Sequence, residues 1–134
     1  MSLRTLKSLT AVLGAVPVLT GLATMLGVHD PIYSSLRLPE NALLDSNLRF
    51  FGGVWLGLGV AVYWLIPRLE TQVALFRAVW VMIFLGGIGR LLSMLLVGAP
   101  PLPFVLFTVL EVLGAPAFIA WHARLVRPSA EVSV

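Results

Sequence analysis

The chain contains no cysteine, which excludes disulfides, thiol catalysis and cysteine-ligated metals. Charge is also scarce: 11% of residues are Asp, Glu, Lys or Arg, where a soluble domain carries about 25%. The histidines, His29 and His122, fall at opposite ends of apolar segments and cannot form a metal pair. No cofactor motif and no nucleophile with an evident base can be found, so neither metal nor cofactor is expected. Nine Lys and Arg outnumber six Asp and Glu, giving a net charge of +3. They form no run and no aromatic-basic interleaving, which argues against a nucleic-acid partner.

What the chain has in excess is apolar surface. Of 134 residues, 59% are hydrophobic, and the mean hydropathy is +0.99. A core of this size cannot hide so much apolar area, so lipid must cover the rest. Stretches of about 20 apolar residues suit a membrane helix, and the sequence offers them at 9–28, 50–66, 78–97 and 102–121. The fold class expected is all-α: an integral membrane four-helix bundle, formed as a single transmembrane domain over 1–134. The first stretch is long for a signal peptide's apolar region and lacks a clear small-x-small cleavage site, so it reads as a retained span.

Lys and Arg near the span ends set orientation. Arg4, Lys7, Arg68, Arg77, Arg124 and Arg127 share one side. Arg37 and Arg49 lie on the other, offset by Asp30, Glu40 and Asp45. Both termini are therefore expected to be cytoplasmic, as in a multi-pass protein of a bacterial inner membrane, with a flexible tail over about 128–134. "GAPP" at Gly98–Pro101 is a tight turn that makes spans three and four antiparallel neighbours. The 29–47 connection is long for a compact domain. It reads either as a surface spacer or as a lid, with a short interfacial helix from Pro39 through Leu44 and Asp45 or Ser46 capping span two.

The polar residues inside the spans carry the functional reading. On a helical period Gly86, Gly89, Arg90 and Ser93 share a face of span three. Glycines let helices approach closely in lipid, so that face is expected to meet other helices. Span four carries Phe104, Phe107, Thr108, Glu111, Gly114, Ala115, Phe118 and His122 along one stripe, with a kink expected at Pro116. Arg90 and Glu111 reach nearly the same depth either side of the Pro100 turn. A charge at mid-bilayer costs on the order of 3 kcal/mol, so an Arg90–Glu111 ion pair is predicted. Span two places Arg49, Gly52, Gly53, Leu56 and Tyr63 on one face, with Gly53 and Gly57 at GxxxG spacing. Span one contributes Gly14, Pro17, Thr20, Gly21 and Thr24. Asn47 and Arg49, at the outer entrance, complete a candidate polar site with Arg90, Ser93 and Glu111. Gly52, Gly53, Gly86 and Gly89 are the candidate packing glycines. His122 and Trp121 read as markers of the cytoplasmic interface.

"NLRFFGGVWLGLGV" at Asn47–Val60 and "GGIGRLLSMLLVGAPP" at Gly86–Pro101, followed by Glu111, resemble the DUF4345 family of small bacterial membrane proteins. The resemblance covers nearly the whole chain, and Gly-Gly-x-Gly-Arg-x-x-Ser is its most specific part. It implies four membrane helices and a shared polar motif, but no reaction. A looser similarity in outline to DoxX-like four-helix proteins carries no residues across.

Several roles follow from the polar centre. The leading one is an accessory or binding protein, not an enzyme, holding a lipid or small amphiphile in the bilayer. A small proton-coupled exporter is the alternative, although a carboxylate already paired with Arg90 is a poor proton carrier. A membrane-embedded enzyme with Glu111 as acid or base ranks third. The pair could also serve only as a brace between helices. The glycine-lined span two suits a homodimer as well as internal packing.

Overall fold

The computed structural model describes residues 2–126, and the tail expected at about 128–134 lies outside them. Among the described residues the chain is all-helical, with four helices long and apolar enough to cross a membrane. They are α1 (Leu3–Thr24), α2 (Ala42–Leu65), α3 (Val73–Leu96) and α4 (Leu102–Leu125). In the most apolar windows of α3 and α4 only 17% and 11% of residues are buried, so most of their apolar surface is not covered by the described residues. Each helix extends several residues beyond its predicted span at one end, because polar ends such as Leu3–Ser8 and Ala42–Arg49 continue the helical turn, whereas α1 stops at Thr24, short of the predicted end at 28. The chain forms two compact units, Lys7–Pro67 and residues 68–126 with 2–6.

In the first unit, α1 and α2 run antiparallel, held by small residues. A methyl group at Gly21 would sit 2.6 Å from Leu56 N, and one at Gly52 would sit 2.7 Å from Met25 N. Gly59 lies as tightly against Val18, and Gly14 against Val62. Backbones can approach this closely only where side chains are absent, which is how helices associate when hydrophobic drive is missing. Trp55 Nε1 donates to Thr20 Oγ1 at 2.8 Å, and Tyr63 OH donates to Ala11 O at 2.9 Å. Gly53 and Gly57 differ from Gly52. Among the described residues a methyl group at either meets nothing within 4 Å. Gly52 and Gly53 point about 100° apart on a helix, and only one can face α1.

The α1–α2 connection corrects the expected loop. Short 3₁₀ turns form at Gly27–His29 and Pro31–Leu36, the second capped by Asp30, which accepts from Ile32 N at 2.8 Å. No separate helix starts at Pro39. Asn41 caps α2 by accepting from Leu43 N and Leu44 N, and Asp45 lies one turn inside the helix. The cap falls at Asn41 because its extended backbone turns its side-chain oxygen onto the free N–H groups of the first turn.

In the second unit, Gly98 (φ +124°) and Pro101 turn α3 into α4. The pair is stitched by rings: Phe76 stacks on His122 at 4.1 Å, and Trp80 meets Phe118 at 4.4 Å. Each such contact adds about 0.5–1.5 kcal/mol beyond buried area. His122 is fully buried inside the protein. Its Nε2 donates to Leu69 O at 2.7 Å, a carbonyl beyond the end of the preceding 3₁₀ turn, while Trp121 Nε1 is buried without a partner. Pro116 disturbs α4 as expected, but the disturbance is a π turn at Leu110–Gly114 just upstream. Pro116 cannot donate to Val112 O and its ring crowds that carbonyl, so the chain takes one wider turn before it.

Candidate functional site

The wide turn carries Glu111. It leaves this side chain buried, with 11% of its surface exposed, against the one glycine of α3 that makes room for it. That glycine is Gly87, where a methyl group would fall 2.7 Å from Glu111 Cβ and 3.1 Å from Val112 N. Among the described residues a methyl group at Gly86 or Gly89 would meet nothing within 4 Å. The contact face of α3 is turned by about one residue from the one the GGxG pattern suggests. Gly87 and Arg90 lie three apart and share that face.

Arg90 Nε lies 3.0 Å from Glu111 Oε2, so the ion pair predicted from the turn symmetry is present. Oε2 nevertheless accepts no aligned hydrogen bond, because the Nε–H is not directed at it. The Arg90 side chain is 40% exposed, and its Cζ lies 5.9 Å from the Phe104 ring centre, within cation–π range. Thr108, one turn before Glu111, is buried and donates to Phe104 O at 2.9 Å, which fixes that turn. Arg90 lies about 9 Å from the C-terminal end of α3 at 1.5 Å per residue, well inside an apolar helix. Ser93, next along that side of α3, is exposed and its hydroxyl makes no hydrogen bond among the described residues.

Arg49 and Asn47 belong to the unit formed by Lys7–Pro67. The Arg49 donors are already used there. Nε reaches Asp45 Oδ2 at 2.7 Å, one terminal nitrogen donates to Met25 O at 2.9 Å, and the other reaches Leu26 O and Asp45 Oδ1 at 3.3 Å. Asp45 Oδ1 also accepts from Val28 N at 3.0 Å. The result is a clasp that caps the end of α1, with Gly27 (φ +67°) in a left-handed conformation beneath it. Its signal was the i, i+4 spacing of Asp45 and Arg49. Asn47 is exposed and makes no side-chain hydrogen bond among the described residues.

Chemically, the α3–α4 site is a neutralised charge pair beside an aromatic ring and a free hydroxyl. Among the described residues no cluster of three His, Cys, Asp or Glu could hold a metal. Comparison with curated proteins and with solved structures returns no match. The sequence motif that places Arg90 on α3, and most of the chain around it, is matched at residues 5–122 by the family described as Domain of unknown function (DUF4345), and the protein belongs to that family.

Proposed function

We propose that this chain is a multi-pass membrane protein that binds a lipid-like amphiphile, with the polar head of the ligand on Arg90. One observation carries the reading. The guanidinium presents five N–H donors, yet its one polar contact within the described residues is Nε to Glu111 Oε2 at 3.0 Å, and two-fifths of the side chain is open. In hydrocarbon each unsatisfied polar group costs several kcal/mol. A brace between helices would be expected to satisfy its own donors. Arg90 instead meets its carboxylate through Nε alone, which leaves the terminal nitrogens without a partner among the described residues. Glu111 balances the charge, so the site suits a neutral or zwitterionic head rich in acceptors, with Ser93 as a further partner. Phe104 supplies the apolar wall.

The proposed orientation puts both termini on the cytoplasmic side of a bacterial inner membrane, supported by Arg4, Lys7, Arg68, Arg77 and Arg124 at the corresponding helix ends. The site then lies in the outer half of the bilayer. The test is organic extraction of purified wild type and Arg90→Gln, followed by mass spectrometry of what each retains. The reading predicts a defined amphiphile enriched on the wild type and depleted on the variant. Identical extracts would reject it.

A further inference from the structure

A second feature lies on the other side of the α3–α4 pair. A groove of about 390 Å³ runs between the helices, lined by Arg77, Val81 and Phe84 of α3 and by Pro116, Ile119 and Ala123 of α4. That volume is within the about 300–1,000 Å³ typical of small-molecule sites. Positions 77, 81 and 84 follow the i, i+4, i+7 rule and share one face. Arg90 emerges from the opposite side of α3, about 9 Å farther along the axis than Phe84 and about 20 Å farther than Arg77. The groove is therefore separate from the Arg90–Glu111 site and does not depend on the function proposed for it.

The chemistry of the lining selects the occupant. Every wall residue is apolar except Arg77, which is exposed and has no ion pair or hydrogen bond among the described residues. Arg77 lies one turn inside the start of α3 at Val73, and the groove runs from it towards the middle of the helix at Phe84. A membrane phospholipid has this same order along its length, with its phosphate at the interface and its chain running inward. On the α4 side Ala120 and Ala123 line the groove with small side chains, which leaves room suited to a slender acyl chain. A transmembrane helix, about 10 Å across, would instead carry Arg77 into an apolar interface without a counter-charge.

We propose that the groove holds one acyl chain of an anionic phospholipid whose headgroup pairs with Arg77. The test is native mass spectrometry of the purified chain incubated with phosphatidylglycerol or with phosphatidylcholine of the same chains. The wild type should retain phosphatidylglycerol preferentially. Arg77→Gln should lose about fivefold of that preference, the contribution of one basic residue near an anionic surface, and Arg77→Lys should keep it. Arg37→Gln makes the same charge change on an exposed loop residue and should leave the preference intact. Val81→Trp should fill the slot and reduce retention of both lipids. Equal retention of the two lipids by the wild type would overturn the proposal. So would an equal loss in Arg37→Gln and Arg77→Gln, which would mean diffuse attraction only, or unchanged retention in Val81→Trp, which would remove the groove as the seat.

Discussion

Gly87 sets how closely α3 and α4 approach at the charged pair. Its missing side chain leaves the space that Glu111 Cβ and Val112 occupy. Gly87→Ala should therefore cost about 1–3 kcal/mol, the usual penalty for overpacking, because the atoms it meets include backbone that cannot swing away. Gly86→Ala and Gly89→Ala meet open space and should be neutral or stabilising by about 0.5–1 kcal/mol, through better helix propensity. Thermal unfolding of the three variants in one detergent checks this. Equal losses at all three would mean that the GGxG face, not Gly87, carries the packing. The sequence made Arg90 and Glu111 legible because charges in apolar runs are conspicuous, and because the turn at Pro100 equalises their depth. It did not distinguish neighbouring glycines: residues 86, 87 and 89 spread over much of the helix circumference, and only the partner helix decides which is covered.

At the scale of elements, two local devices end or distort helices, and they were unequally visible. Pro116 announces a disturbance, but not that the strain is released upstream as a π turn carrying Glu111. The Asp45–Arg49 clasp is written in an i, i+4 spacing, yet span-end arginines usually serve as topology signals, which hid its capping role. Asp45→Ala should release Arg49 from the carbonyls of Met25 and Leu26 and remove the acceptor of Val28 N–H. Faster amide exchange is expected across residues 25–30, with the middle of α2 unchanged. Unaltered exchange in that segment would show that Gly27 and the 3₁₀ turns hold the end of α1 without the clasp. Helix existence was readable throughout from apolar length, whereas the start of α2 was misplaced because its first turns are polar and look like loop.

For the whole molecule, the absence of cysteine makes topology directly measurable. Single substitutions Ser34→Cys, in the α1–α2 connection, and Thr71→Cys, between α2 and α3, place one thiol on each predicted side. A membrane-impermeant maleimide should label Ser34→Cys in intact cells and Thr71→Cys only after permeabilisation. The reverse pattern would invert the proposed orientation and put the Arg90 site in the cytoplasmic half of the bilayer.

The measurement that bears most directly on the central claim is native mass spectrometry of the gently solubilised protein beside Glu111→Gln, with thermal unfolding of both. Ligand binding at Arg90 predicts a defined neutral or zwitterionic adduct on the wild type that is lost or replaced by an anionic one in the variant, where the Arg90 charge is no longer balanced, while the variant stays folded. Adduct-free spectra for both proteins, with a large loss of thermal stability in Glu111→Gln, would contradict that claim and make the pair a brace between α3 and α4.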